Sequence, residues 1–411
     1  MNRKTFAYIG GGAAGYFAAI NSAERNSDAQ HILFEATHRP MTKIKISGGG
    51  RCNVTHHCFD IHELVKSYPR GSKELLGAFA RFQPKDTIEW FEKRGVKLKV
   101  ESDGRMFPVT NKSDTIIECL NNEVTRLGVE IRKGCKVKEI KKQEDHFIIT
   151  FQNEEKLRVD KVLLATGSFP FSYELAASLG HNIIAPVPSL FTFNCSHFLL
   201  EEMMGTSFKK VSLQLEITKE GKKKKWQQEG PLLITHWGLS GPAVLKLSAF
   251  AARELHEAHY KAHLRVNWLG AWTEQSVIEE LSQIKIQDAK KSILNTPLFD
   301  LSKRFWQQVS KFAIEEKSER TWADLSKKDV LALARVLTGS ELQVDGKGVF
   351  KEEFVSAGGI DLKEVDFKRM ESKVCPGLFF AGEILDVDGI TGGFNFQNAW
   401  TTAWIVAQNM G

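Results

Sequence analysis

Thr5-Phe-Ala-Tyr-Ile-Gly10-Gly-Gly12-Ala13-Ala14-Gly15 carries a short apolar run straight into glycines at Gly-x-Gly-x-x-Gly spacing. The run predicts a buried strand and residues 16–25 predict a helix. A second apolar run, Ile32-Leu-Phe34, predicts a strand that ends at Glu35. In that order the glycines have separate tasks. The first permits the turn, the second lets the backbone approach a pyrophosphate, and the third lets helix and strand pack closely. Glu35 follows Gly15 by twenty residues, where a carboxylate accepts hydrogen bonds from ribose hydroxyls and disfavours a 2′-phosphate. Gly10, Gly12, Ala13, Ala14, Gly15, Glu35 and Ala36 are thus candidates for holding a dinucleotide.

Directly after that strand comes Lys43-Ile-Lys-Ile-Ser47-Gly48-Gly49-Gly-Arg51-Cys52-Asn53, a second glycine-rich turn with two lysines and an arginine. Consecutive glycines flanked by Ser, Arg and Asn point to backbone approach to a ligand. Lys43, Ser47, Gly48, Gly49, Arg51, Cys52 and Asn53 join the candidates. Residues 61–68, 72–82, 84–94 and 113–127 read as helices, and the turn 104–108 either presents Arg105 to a ligand or is a plain surface turn. Residues 129–132, 135–140, 147–151 and 157–159 read as strands of a meander, and by analogy with folds of this type the backbone near Val137 is the expected bracket for an adenine. Asp160-Lys-Val-Leu-Leu-Ala165-Thr166-Gly167 returns the chain to the parallel sheet, bringing Ala165, Thr166 and Gly167 beneath the cofactor. Residues 172–179 form a short helix.

The paired prolines of Pro186-Val-Pro188 mark the exit from the first domain. The expected division is 1–190 as the first part of a cofactor-binding domain, 191–270 as an inserted β-rich domain, 271–338 as a small helical lobe, and 339–411 as return strands completing the first domain. The lysines at 222–225 sit at a hairpin tip and read as a solvated turn. Thr235-His-Trp-Gly-Leu-Ser-Gly-Pro-Ala243 opens a helix over 243–256, with Ser240 as its N-cap. Residues 341–351 read as a hairpin.

The other end of the chain supplies Gly382-Glu-Ile-Leu-Asp-Val-Asp-Gly-Ile-Thr-Gly-Gly-Phe-Asn-Phe-Gln397, between an apolar run at 377–381 and a helical run at 398–408. A helix N-terminus leaves unpaired N–H groups and a partial positive charge, which stabilise negative charge at N1 and O2 of a reduced isoalloxazine. Gly382, Glu383, Gly392, Gly393, Phe394 and Asn395 are the candidates here. Asp386 and Asp388 read as acceptors for ribityl hydroxyls or backbone N–H groups. They are not an EF-hand, because the glycine comes at position four and position twelve is Gln397. No metal site is expected.

A chain of 411 residues, 42% hydrophobic and 26% charged, has material for two or three domains. Its net charge of +6 is modest and does not by itself argue for nucleic acid, which is not an expected partner. There is no run of eighteen apolar residues and the N-terminal apolar run is too short for a secretory signal, so neither membrane nor export is expected. Six scattered cysteines without Cys-x-x-Cys read as reduced thiols of a cytoplasmic protein.

With both ends in view the chain resembles the HI0933-like (BaiN/YhiN) flavoproteins, a bacterial family of FAD-dependent oxidoreductases. The resemblance rests on the motifs at 10–15, 47–53, 235–243 and 381–395. It implies an α/β fold, a Rossmann-like FAD-binding domain formed from both chain ends, with an inserted β-rich domain and a small helical lobe. It further implies that Glu35 holds ribose, and that Glu383 and the turn at 392–395 hold the ribityl and flavin end. Similar proteins carry a longer glycine-rich loop where this chain has Ser168-Phe-Pro-Phe-Ser, so substrate preference does not transfer.

Three activities fit. One is reduction of a small or steroid-like unsaturated carbonyl by hydride transfer through flavin N5, with NADH or NADPH as transient donor. The second is oxidation of a small amine by oxygen. The third is a flavoprotein that binds RNA or a protein partner. His236 is the candidate for proton transfer, since histidine is the usual residue for moving a proton and Gly238 and Gly241 lie beside it; a buried structural histidine is the competing reading. Cys52 lacks a partner cysteine and reads as a packed neighbour of the cofactor.

Overall fold

The computed structural model describes residues 3–219, 221–348 and 355–411. The chain divides into two units, one made of Met1–Val187 with Val355–Gly411 and the other of Pro188–Phe354.

In the first unit, strand β1 (Thr5–Ile9) leads into helix α1 (Ala13–Arg25) and strand β2 (Gln30–Glu35). Strands β3 (Glu130–Lys133), β4 (Lys161–Leu164) and β5 (Leu378–Phe380) complete a parallel core in the order β5-β4-β1-β2-β3. Two short strands, Val365–Asp366 and Glu371–Ser372, extend it antiparallel beside β5. Parallel strands are covered on both faces, which is why β1 and β4 read as unbroken apolar runs instead of alternating ones. Helix α2 (Phe394–Asn409) packs on α1, with the rings of Phe17 and Trp400 5.2 Å apart. Both side chains are fully buried, and each contributes roughly 1.5–3 kcal/mol by leaving water. One sheet therefore takes strands from both ends of the chain.

Of the four strands expected as one meander, the first is β3 of the parallel sheet. The other three, Val137–Gln143, His146–Phe151 and Lys156–Val159, form their own antiparallel sheet. The turn expected to present Arg105 is a strand, Arg105–Pro108, and Arg105 pairs there with Asp103 and Glu101.

The second unit is a closed barrel in the strand order Phe193–Asn194, Gly238–Ser240, Lys222–Thr235, Ser207–Lys219, Lys261–Asn267 and Ser340–Lys347. Closure leaves no open edge. Helices Glu274–Gln287, Lys303–Ile314 and Lys327–Gly339 share one apolar core with the barrel, Trp306 and Leu333 packing in the same cluster as Leu213 and Leu264. The helical lobe expected at 271–338 is thus a wall of the barrel domain. Amphipathic spacing reveals a buried face but not what covers it.

Ser340–Lys347 is a barrel strand paired with Lys261–Asn267, not half of a hairpin returning to the first unit. The far part of that expected hairpin, 349–351, lies outside the described residues. Helix Pro242–Phe250 starts from Gly241 at φ 97 with no side-chain cap, so Ser240 is not its N-cap. Ser240 is instead paired in the barrel with Leu233.

Candidate cofactor site

The glycines after β1 divide their work by what a side chain would meet. At Gly10, φ is 114 and a Cβ would lie 2.5 Å from Ala165 O; at Gly15 it would lie 1.9 Å from Gly10 O. These two hold α1 and β4 close to β1. At Gly12 a Cβ would meet nothing within 4 Å, so the backbone there faces open space. Gly12 is the N-cap of α1, with no side-chain cap and no acid in the first turn, leaving the N–H groups around Ala13 and Ala14 for an anion.

Glu35 ends β2 with Oε2 accepting from Gly11 N at 2.9 Å and Oε1 from Thr37 N at 2.8 Å. A carboxylate has about four lone-pair directions, so two remain for ribose hydroxyls. Ala36 beside it is exposed. Val137 starts its own sheet opposite Phe151 with its side chain buried, and a register break follows it.

The second glycine segment is helical from Thr42 and then turns left-handed, with Gly48 at φ 56 and Gly49 at φ 69. Ser47 Oγ donates to Ile44 O at 2.9 Å and closes the helical turn. A Cβ on Gly49 would again meet nothing, whereas one on Gly48 would sit 2.9 Å from the Phe107 ring. Arg51 is engaged by the protein itself: Nη1 reaches Glu101 Oε1 at 2.6 Å and the guanidinium lies 4.0 Å over the Phe107 ring. Asn53 Oδ1 accepts from Met106 N at 3.3 Å.

Cys52 is fully buried, and burial pushes its thiol up to about 12. Burial likewise raises Cys195 to about 12 and Cys119 to about 11. These thiols are packed groups, not nucleophiles. In the unfolded chain each titrates near 9.0. The folded state keeps its protons longer, so the stability they contribute is complete below the unfolded value and is lost as pH rises toward the folded ones. Denaturant unfolding should show stability falling above about pH 9, by roughly 1.4 kcal/mol per pH unit for each thiol. Replacing Cys52 and Cys119 by Ala should flatten that slope.

The C-terminal stretch meets these segments. Gly382, at φ 77, would place a Cβ 3.2 Å from Ala14 Cβ, and its N–H donates to Thr402 Oγ1 at 2.9 Å. Glu383 Oε2 takes Lys43 Nζ at 2.6 Å. Gly167 stands beside that pair, a Cβ there lying 3.7 Å from Glu383 Oε2 and 3.9 Å from Lys43 Nζ. Gly393 caps α2 at φ 95 without side-chain help, its Cβ position 2.5 Å from Thr55 O and 2.9 Å from Asn53 Oδ1. Asn395 spends both ends of its amide on Gly389, at 2.8 Å each, which shapes the turn. Residues more than three hundred positions apart thus come together.

Several supporting side chains escape sequence reasoning. His56 Nδ1 lies 3.0 Å from Gly392 O and its ring stacks on Phe394 at 4.6 Å. Tyr68 Oη donates to Phe394 O at 2.7 Å. Gln397 Oε1 accepts from Thr87 Oγ1 at 2.9 Å and also from Thr55 Oγ1. Asp388, read as a ribityl or backbone acceptor, is instead buried and gripped by both arms of Arg70. Nothing local in the sequence marks these partners, because each sits on a segment remote in the chain.

The residues fit FAD. The backbone is bare at Gly12 and Gly49, the N-termini of α1 and α2 lack side-chain caps, and the Oγ1 of Thr166 and Oη of Tyr173 are buried with no partner among the described residues. Buried polar atoms without partners are costly and point to a missing ligand or water. Among the described residues no cluster of three or more His, Cys, Asp or Glu side chains forms a metal site, and no described helix is long and apolar enough to cross a membrane.

His236, the proton-transfer candidate, lies in the second unit on the turn between Thr235 and Gly238 and is exposed, not a buried structural histidine. Its flanking glycines serve the barrel. A Cβ on Gly238 would lie 2.4 Å from Phe193 O, and one on Gly241 3.0 Å from Pro231 O.

A parallel sheet built from both chain ends, with its glycine turns and terminal acid, defines a Rossmann-type dinucleotide-binding domain. The sequence model described as the HI0933-like protein Rossmann domain matches residues 4–409, and the chain belongs to that family. It is 29% identical over 418 residues to the ribosomal RNA dihydrouridine synthase of Escherichia coli K12, covering 100% of this chain and 98% of that one. It is 28% identical over 424 residues to the 3-dehydro-bile acid delta(4,6)-reductase of Clostridium scindens, covering 99% and 98%. The 3-ketosteroid delta1-dehydrogenase of Sterolibacterium denitrificans shares the fold at TM-score 0.51 and 12% identity, over 99% of both chains.

Proposed function

We propose that the protein reduces a carbon–carbon double bond conjugated to a ring carbonyl, with NADH or NADPH as donor. The flavin part of this reading is supported by the convergence of the Gly10–Gly15 turn, Glu35, the Lys43–Glu383 pair and the uncapped start of α2 within one unit, and the acceptor by what the relatives above are named for. In this reading the N-terminus of α1 takes the pyrophosphate, Glu35 the ribose, Glu383 the ribityl chain, and the first N–H groups of α2 the electron-rich end of the ring. Bound FAD supplies hydride chemistry at N5. Over the whole reaction a hydride equivalent from NAD(P)H reaches the carbon β to the carbonyl, and a proton reaches the α carbon. We assign proton delivery to His236, whose imidazole is solvent-accessible.

Two acceptors present this group: a steroid-like enone, and the uracil ring of uridine, whose C5–C6 bond is conjugated to its C4 carbonyl. The relatives above are named for one and the other. Anaerobic NADH or NADPH should bleach the flavin band of the purified protein, and an enone or a uridine-containing RNA should restore it. His236→Gln should lower kcat about a hundredfold at unchanged FAD content. Bleaching by amines alone, with peroxide on re-aeration, would replace this reading with an oxidase.

A further inference from the structure

We propose that the barrel of the second unit carries a docking surface for single-stranded RNA, with Trp237 as a stacking platform for a base. This rests on the reading that the acceptor is a conjugated ring, and it selects the RNA-borne one. Trp237 is 70% exposed, the most exposed tryptophan of the described chain's exposed large apolar residues. It is nevertheless held in place. Cys195 N donates to Trp237 O at 2.9 Å, Thr235 Oγ1 donates to Gly238 O at 3.2 Å, and Gly238 is seated against Phe193 and Cys195. The backbone is fixed while the indole is left to water, which is how an aromatic platform is presented. His236 accompanies it, the two rings 6.1 Å apart. Leu233 on the strand leading in, and Met204 before the Gly205 that bonds Ile234 O, are also exposed.

The same strand pair is basic. From 207 to 235 the sequence has seven lysines against three glutamates, an excess that the chain's net charge of +6 hides. Ser207–Lys219 and Lys222–Thr235 form one long ribbon, so its lysine end and Trp237 are separated by roughly 45 Å of strand at 3.3 Å per residue. That length suits a tract of nucleic acid and exceeds any small ligand. The lysines at 210, 219, 223, 224 and 225 pair with Glu229, Glu257, Glu216 and Glu254, yet their side chains stay 54–66% exposed. Exposed pairs of this kind hold weakly and exchange readily for phosphate. Lysines at one end of the ribbon and an exposed indole at the other are the two kinds of group that single-strand binding combines.

The test is fluorescence anisotropy of a labelled, uridine-containing single-stranded RNA with the FAD-loaded protein over a salt series. Trp237→Ala should weaken binding roughly tenfold or more. Replacing Lys222, Lys223 and Lys224 together by Gln should lower the slope of log K against log salt by about 2. All four positions are exposed, and an unchanged Tm and FAD content establish that the variants fold. Wild-type protein that fails to bind RNA, or binding untouched by Trp237→Ala, overturns the proposal. So does a Trp237→Ala variant that raises KM for a steroid enone while the lysine changes do nothing, since the platform then serves a small planar substrate. NAD(P)H bleaching of the same preparation is read separately, so failure of the RNA surface and failure of the reductase reading are distinguishable.

Discussion

Arg70→Met should cost the protein about 3–5 kcal/mol, the penalty for breaking a buried ion pair by removing one partner. Asp388 is fully buried and takes both arms of the Arg70 guanidinium, while a backbone bridge joins the same two residues. The pair ties the segment before the helix Ser72–Phe79 to the glycine-rich stretch at 382–397. Stripping the carboxylate of its guanidinium leaves a charge that water cannot reach. The double variant Arg70→Met/Asp388→Leu should recover most of the loss, because it removes the charge as well as its partner. Denaturant unfolding of the wild type, the single variant and the double variant measures this directly. A single-variant loss below about 1 kcal/mol would mean that the pair is solvated and does not hold the C-terminal turn.

Gly12 and Gly15 should fail in opposite ways. At Gly12, φ is −92 and a Cβ meets nothing, so Gly12→Asp should leave the FAD-free fold intact, or slightly firmer as an N-cap. Its carboxylate, however, would stand where a pyrophosphate is to sit. Two like charges about 4 Å apart repel by roughly 4 kcal/mol at an effective dielectric near 20, close to a thousandfold in affinity. The purified variant should be colourless with a normal FAD-free Tm. Gly15→Ala should instead lose stability by about 1–3 kcal/mol, because its Cβ would lie 1.9 Å from Gly10 O and force α1 off β1. FAD titration followed by absorbance, alongside thermal unfolding, separates the two outcomes. A yellow Gly12→Asp protein with wild-type affinity would remove the pyrophosphate from this turn.

Where sequence reasoning succeeded, the information was local. The strand–turn–helix–strand unit at 5–35 is specified by apolar runs and glycine spacing, and the structure has β1, α1 and β2 there. The left-handed turn at Gly48 and Gly49 and the start of α2 at Gly393 likewise follow from glycines, whose positive φ other residues rarely adopt, whereas the helical turn from Thr42 that precedes the first of them was not expected. Where it stopped short, the deciding contacts joined distant segments. Apolar periodicity at 274–339 gave helices, but only packing against Leu213 and Leu264 made them a wall of the barrel. Arg51 and Arg105 look alike as ligand-binding arginines in the sequence, yet both are spent on Glu101.

By itself, then, the sequence determined which segments become the strands and turns of a dinucleotide-binding sheet, because backbone conformation and period are properties of neighbours. Only the tertiary structure decided which side chains are free to meet a ligand. Asp388 was bound to Arg70, Asn395 to Gly389, and Trp237 was left to solvent, since burial and pairing depend on what the rest of the chain brings alongside.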